Sequence, residues 1–286
     1  MKVLVTGGSG YLGRHIRRYF EADDLSRRSG LDILDIYDTT CVSEYDIVIH
    51  LAAMLDKDPA EQENVFRTNV EGTINVARAM KENAVLIFAS TKDVYGRFAD
   101  SYSEVPETCQ TLYAGQSALE WSKLIAERYV EYYAHNNRFR SCIFRLSTVF
   151  APPSEANVPS FPGHYADAIN KGESIRLPGD GRPRRDLLYV DDLARACSAF
   201  ADSVIRHGTY NLGGGPANAL TLTELVERME KVSGLQAIVD RETPLPGPVP
   251  MNYVSDISLA DFELGWKPQD DLDERLASLF GTASGT

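Results

Sequence analysis

Three glycines in the segment VTGGSGYLGRHI, Gly7, Gly10 and Gly13, stand directly after an apolar run and at the opening of a helical pattern. That spacing suits a tight turn, a close backbone approach to a pyrophosphate and close packing of helix on strand, with the helix N-terminus facing the anion. A glycine triplet alone is a weak signal, readable as a mere tight turn. The flanking strand and helix patterns make it a candidate dinucleotide cradle. After a second strand the same chemistry calls for an acid to hold the adenosine ribose, but ADDLSRRSG offers Ser26, Arg27 and Arg28. Guanidinium forks suit a 2′-phosphate, which favours NADP over NAD. Two alternatives stand beside this: the arginines are solvated loop charges, or, since the connection from the first helix is short, Asp23 or Asp24 is the ribose ligand.

These groups need a scaffold. Short apolar runs alternate with helical patterns in the order KVLVTG, YLGRHIRRYF, YDIVIHLAA, NVEGTINVARAMKEN and AVLIFAS. A β-α-β-α-β order implies a parallel sheet with helices on both faces, an α/β doubly wound architecture. ALEWSKLIAERYVEYYAH is the clearest helix, with apolar residues recurring at three and four, and SCIFRLSTVF follows as a buried strand. After Phe150 the proline-rich APPSEANVPSFPG marks a crossing into a second lobe. The chain then returns. DLLYVDDLARACSAFADSV reads as a strand edge and a helix capped by Asp191 or Asp192, GTYNLGGG as a further strand, and LTLTELVERMEKVSG as a helix capped by Thr221 or Thr223. PLPGPVP excludes a helix interior.

The chain of 286 residues, 43% of them hydrophobic, is large enough for one large core or for a nucleotide-binding lobe carrying a smaller second lobe. Its net charge of −12 disfavours nucleic acid and anionic membranes as partners, so any phosphate must be gripped locally. Cys41, Cys109, Cys142 and Cys197 lie far apart and suggest neither a metal site nor a disulfide framework. An apolar strand beginning at residue 2 leaves no room for a signal peptide, and no run of 18 apolar residues follows, so a cytoplasmic protein with a frayed GTASGT tail is expected.

The glycine turn resembles that of the extended short-chain dehydrogenase/reductases, in particular the NAD-dependent epimerase/dehydratase family that modifies nucleoside-diphosphate sugars. LDILD, HLAA, NVEGTINV, ASTKDVYG, SKLIAE, RLSTVFAP, GDGRPRRDLLYVDD and YNLGGG follow in that family's order across essentially the whole chain. The resemblance implies a Rossmann-type sheet over residues 1–150 plus about 187–212. A smaller, discontinuous α/β substrate lobe would be formed by 151–186 and 213–286. It implies cofactor contacts from Gly7, Gly10, Tyr11, Leu12 and Gly13, from Asp32 and Ile33 at the adenine, from Leu51, Ala52 and Ala53 on the nicotinamide side, and from Asn69 and Lys123. It also implies a homodimer through helices holding 62–81 and 117–135.

The family's reaction uses a tyrosine four residues before the lysine on one helix, a phenol whose pKa the ammonium lowers. Lys123 is present, and Thr91 matches the hydroxyl at the strand end, but Leu119 stands at the tyrosine position, one helical turn before the lysine. A leucine handles no proton. Asp93 matches an acid that takes a proton from sugar C5 in related dehydratases, against the plainer role of a turn residue. Lys92 can protonate a leaving hydroxyl or be solvated, and Tyr113, in TLYAGQS, is a loop phenol that would have to approach Lys123. Arg185 matches the arginine that grips the substrate diphosphate, with Arg182 and Arg184 in reserve and Asp186 as a competing ion-pair partner. The second diphosphate arginine is absent from PLPGPVPMNYVSD unless Arg241 supplies it, and Thr148 replaces a common asparagine. Three functions follow as expectations: an NAD(P)-dependent nucleoside-diphosphate-sugar epimerase or dehydratase lacking the helix tyrosine, an NADPH-dependent keto-sugar nucleotide reductase, or a non-catalytic dinucleotide-binding regulator.

Overall fold

The computed structural model describes residues 1–153, 160–244, 250–269 and 271–281, with the side chains of 241–243 outside the description. The middle of the proline-rich crossing, the middle of PLPGPVP, the Arg241 side chain and all but the first residue of the tail expected to fray therefore lie outside the described residues. In chain order the elements are β1 (Val3–Thr6), α1 (Gly13–Phe20), β2 (Asp23–Leu25), β3 (Ile47–His50), α2 (Gln62–Phe66), α3 (Gly72–Ala79), β4 (Val85–Thr91), α4 (Ala118–Asn137) and β5 (Arg140–Leu146). The second half adds β6 (Thr148–Phe150), α5 (Phe161–Lys171), β7 (Ser174–Pro178), β8 (Arg184–Tyr189), α6 (Val190–Asp202), β9 (His207–Leu212) and β10 (Ala219–Thr221). It ends with α7 (Leu222–Ser233), β11 (Ile238–Thr243), β12 (Asn252–Tyr253), α8 (Ser258–Leu264) and α9 (Leu272–Ala277).

Six strands form one parallel sheet in the order β2-β1-β3-β4-β5-β9. Alternate residues of each strand face opposite sides. Val5, Ile49, Ile87 and Phe144 meet Ile16 of α1 and Leu193 and Phe200 of α6. Leu4, Val48, Leu86 and Ile143 meet Val76 of α3 and Ala126 and Val130 of α4. Both faces are thus covered, which is what apolar runs without a polar face demand. The order reverses between β1 and β3, since the chain leaves β1 toward β2 and returns to the other side, and a crevice opens at the carboxyl ends there.

β8 is the centre of a second sheet, flanked by β10 and β12 and joined by β6, while β7 pairs with β11. The fully buried Asp186 ties these parts to the first sheet: its carboxylate accepts from the Ser147 hydroxyl and from the backbone N–H groups of Gly215 (3.2 Å) and Ser255 (3.1 Å). Its oxygens therefore go to loop ends, and among the described residues it forms no direct ion pair with Arg185, although its charge still acts on that guanidinium.

Two helices start on full side-chain caps, and a third departs from the cap its sequence suggests. Ser117 with Glu120, and Thr221 with Glu224, close reciprocal capping boxes at α4 and α7. Neither Asp191 nor Asp192 caps α6, because β8 runs straight into the helix with Tyr189 in the cap position and both acids in the first turn.

Under the carboxyl ends of the sheet lies a buried polar cluster. Arg145 of β5 pairs with Glu127 of α4 at 2.7 Å through Nη2 and at 3.1 Å through Nε, with both side chains almost fully enclosed. Ser90 donates to the same carboxylate, Arg145 donates to the Tyr95 hydroxyl (3.0 Å), and that hydroxyl donates to Asn211 of β9 (2.7 Å). Removing one partner of such a pair strands the other charge. Glu127→Ala is expected to lower unfolding free energy by about 3–5 kcal/mol, read as a drop in the urea midpoint.

Candidate active site

The chain leaves β1 at Gly7 with φ +70°, and a Cβ there would lie 2.8 Å from the Ala52 amide nitrogen. A Cβ at Gly13 would be driven into the Gly7 carbonyl, while the Gly10 N–H closes the turn on that same oxygen at 2.9 Å. The turn is therefore closed to larger residues, as a backbone cradle for an anion requires. Leu51 and Ala52 lie against it, their N–H groups donating to the carbonyl (3.1 Å) and hydroxyl (3.3 Å) of Thr6, and Ala53 continues the segment. Leu12 occupies the cap position of α1 and packs on the core. The Tyr11 hydroxyl donates to the Ala151 carbonyl (2.9 Å) and accepts from its N–H (2.8 Å), which pins the exit of β6 to the cradle.

At the end of β2 an acid is enclosed and the arginines are exposed. Asp24 has a side chain only 9% exposed, accepts from Ser26 (2.9 Å), and faces Arg17 at 3.7 Å. Its Oδ1 is buried without a hydrogen-bond partner. Ser26 also meets Ser9 of the glycine turn at 2.8 Å, so this carboxylate lies beside the cradle. Arg27 and Arg28 are exposed, and Arg28 donates to the Ser9 carbonyl at 3.3 Å. Asp32 shapes its own turn by accepting from the Leu34 N–H, and Ile33 is buried against Gly72.

Asn69 sits in a π-turn, Arg67–Glu71, between α2 and α3. Its amide accepts from the Met54 N–H (2.8 Å) and donates to the Met54 carbonyl (3.0 Å) and the Ser122 hydroxyl (2.9 Å), so it fixes the loop after β3 against α4. His50, fully enclosed, bridges the Thr6 and Thr73 hydroxyls, and burial pushes its pKa down to about 3, aided by the nearby Lys123. One helical turn past Leu119, the buried Lys123 ammonium donates to the Ala89 carbonyl of β4 (2.8 Å) and lies 4.8 Å from the centre of the Phe88 ring. Burial depresses its pKa to about 8, opposed by Glu127 one turn further on.

Charged groups crowd the exit of β4. Thr91 accepts from the Asp93 N–H (3.1 Å), which sets the turn. Lys92 is buried, donates to Asp93 (2.6 Å), and lies 4.9 Å from the centre of the Tyr253 ring. Burial drives the Lys92 pKa down, and Asp93 opposes that shift. Burial would raise Asp93, but Lys92 and Lys57 outweigh it and hold the carboxyl below its usual range. Tyr113 does not take the missing phenol's place. It is 65% exposed and stacks on Trp121 with ring centres 5.8 Å apart, and Trp121 lies two residues, about 200° of helix, from Lys123.

From the second sheet, the buried Arg185 donates to the carbonyls of Arg184 (2.7 Å), Met251 (2.9 Å) and Pro250 (3.0 Å), using three of its N–H groups. Burial lowers its pKa, while Asp93 and Asp186 act the other way, so its field reaches the β4 exit. Arg182 turns outward to Asp180 and Arg184 to the Ala219 carbonyl. Thr148 is buried in β6, in register with Leu187.

Residues 3–213 match the model of the NAD dependent epimerase/dehydratase family. The chain belongs to that family. Among relatives, the CDP-paratose 2-epimerase of Salmonella typhi is 26% identical with 99% of each chain covered, and UDP-glucuronate 4-epimerase 5 of Arabidopsis thaliana is 27% identical over 96% of this chain and 74% of that one. Among solved structures, MoeE5 in complex with UDP-glucose and NAD superposes with a TM-score of 0.82 at 25% identity, covering 98% and 97% of the chains. The fold is also that of a UDP-N-acetylglucosamine 4-epimerase from Methanobrevibacter ruminantium M1, at a TM-score of 0.85 and 23% identity over 98% and 96%.

Within this member of the epimerase/dehydratase family, sequence reasoning missed Lys57 and Glu120. Lys57 pairs with Glu120 at 2.6 Å and faces Asp93 at 4.0 Å. A lysine six residues past Leu51 carries no motif, and Glu120 reads as a cap residue, so only the fold brings them together. With the Lys123 pKa depressed to about 8 by burial, and if its ammonium binds NAD as the family resemblance implies, NAD affinity measured by fluorescence is expected to weaken about tenfold as pH rises from 7 to 9. In Lys123→Met it should be weak and flat across that range.

Proposed function

We propose that this chain is an NAD-dependent enzyme that oxidises a nucleoside-diphosphate sugar transiently, as epimerisation and dehydration both require, without a helix tyrosine. NAD, when bound, supplies the acceptor and donor for the two electrons exchanged with the sugar. Gly7, Gly10 and Gly13 would receive its pyrophosphate, with Tyr11 and Leu12 on the same turn, and Leu51, Ala52 and Ala53 would line the nicotinamide side. Asp32 and Ile33 remain the proposed adenine side, and Asn69 acts through the loop it fixes.

NAD is preferred to NADP because the buried Asp24 carboxylate, with an oxygen lacking a partner, suits two ribose hydroxyls and repels a phosphate. The NAD bound in the MoeE5 complex supports the same choice.

The observation that carries the chemistry is the grouping at the exit of β4. Thr91 and the Lys92–Asp93 ion pair lie two to four residues beyond the carbonyl that holds the Lys123 ammonium, within the field of Arg185 from the second sheet. In this reading Lys123 binds the nicotinamide ribose, the Thr91 hydroxyl hydrogen-bonds the reacting oxygen, and the Asp93 carboxylate removes a proton. Arg185, with donors still available on its fork, holds the diphosphate beside Thr148. Exposed Tyr129 and Tyr132 on α4 support pairing of two copies through α3 and α4. Among the described residues no helix is long and apolar enough to cross a membrane.

The test is to denature freshly purified protein, identify any dinucleotide released, and then incubate native protein with UDP-glucose and UDP-glucuronate as probes. NAD released and a sugar nucleotide converted without net NAD consumption are expected. Asp93→Asn should lower kcat by about 10²-fold to 10⁴-fold while leaving dinucleotide binding intact. Stoichiometric NADPH oxidation would support the reductase reading instead, and failure to bind either dinucleotide would move the protein out of redox chemistry.

A further inference from the structure

Lys57 lies in the loop between β3 and α2, four residues past Ala53 and outside every motif of the site. Its ammonium reaches two carboxylates on different elements, Glu120 Oε1 of α4 at 2.6 Å and Asp93 Oδ2 beyond β4 at 4.0 Å. Glu120 is a rigid post. Its side chain is 6% exposed, and its other oxygen is held by the Ser117 N–H at 2.7 Å and by the Ser117 hydroxyl. Asp93 is gripped from its opposite oxygen by Lys92 at 2.6 Å. Four side chains thus alternate in sign, Lys92, Asp93, Lys57 and Glu120, from the Tyr253 ring to the first turn of α4. The Lys57 loop is anchored upstream where Asn69 clasps Met54, and downstream Asp58 caps the turn Pro59–Glu61. Between those anchors, the Lys57 contacts carry the loop across to α4.

We propose that Lys57 is a positioning residue of the site: moored to Glu120, it ties the loop after β3 to α4 and holds the Asp93 carboxylate aimed and ionised between two ammonium groups. This rests on the reading of Asp93 as the proton acceptor. Asp93 is faced by Lys92 from its own turn, Lys57 from the loop, Arg185 from β8 and Tyr253 from β12. Lys57 is the member that reaches solvent, with half its side chain exposed, so its contribution is removable without opening the interior.

The experiment is a pH titration of the Asp93 carboxyl by ¹³C NMR of aspartate-labelled protein, the resonance assigned through Asp93→Asn. Lys57→Met is expected to raise the midpoint by about one pH unit, since an opposite charge at this range lowers a carboxyl by about that amount. Lys57→Arg should restore it, and Lys57→Gln serves as the second neutral variant if the first does not fold. Glu120→Gln, which loosens the mooring, should also raise the midpoint and speed amide exchange at residues 55–58. An Asp93 midpoint unmoved by loss of the Lys57 charge overturns the proposal. The titration needs no substrate, so a wild-type protein that fails to bind NAD would overturn the enzyme reading while leaving this result separately readable.

Discussion

Glu127 and Arg145 meet between α4 and β5 with no access to water, and the working end of the molecule is built around them. Two charges taken out of water are tolerated only when their remaining donors and acceptors are satisfied. That demand recruits Ser90 from β4, Tyr95 from the turn after β4, and, through Tyr95, Asn211 from β9. Asn211 in turn donates to the Val105 carbonyl, and Arg145 reaches the Glu107 carbonyl, so the long connection before α4 is drawn in as well. Thr91 follows Ser90 in the chain, and Lys123 precedes Glu127 by one helical turn. The ion pair thereby fixes the distance between the strand end and the helix that supply the reactive groups.

Above this foundation the site is controlled by charge rather than by a phenol. Lys123 rests on the Ala89 carbonyl with its pKa depressed to about 8 by burial, while Asp93 is flanked by Lys92 and Lys57 and stays ionised. Both shifts run downward: the one keeps Asp93 ionised, and the other brings Lys123 toward the range in which an ammonium can release its proton. At the end of β2 the Asp24 carboxylate is enclosed, while the arginines three and four residues further on are exposed.

The sheet, its helices and the glycine cradle were legible because each rests on a local rule: alternation, helical periodicity, cap chemistry, or a backbone too close for a Cβ. Capping of α6 by Asp191 or Asp192 was misread since a strand that enters a helix directly leaves no room for a separate cap. Arg27 and Arg28 drew attention because charge is visible in a sequence and burial is not; the enclosure of Asp24, bonded to Ser26, which in turn meets Ser9, shows only in the fold. Tyr113 looked available by proximity in sequence, yet the stacking area of Trp121 holds it on another face of the helix. Lys57 and Glu120 were invisible for a different reason, as their pairing depends on a loop and a helix separated by more than sixty residues.

The central claim is that the acid/base groups of this enzyme sit at the strand end and that Leu119 belongs to a rebuilt site, not a decayed one. It is tested most directly by comparing turnover of UDP-glucose and UDP-glucuronate by the wild-type protein and by Leu119→Tyr, at matched NAD occupancy. The account predicts turnover by the wild type, unchanged or reduced when the phenol is introduced. An inactive wild type that gains activity with Leu119→Tyr would contradict it.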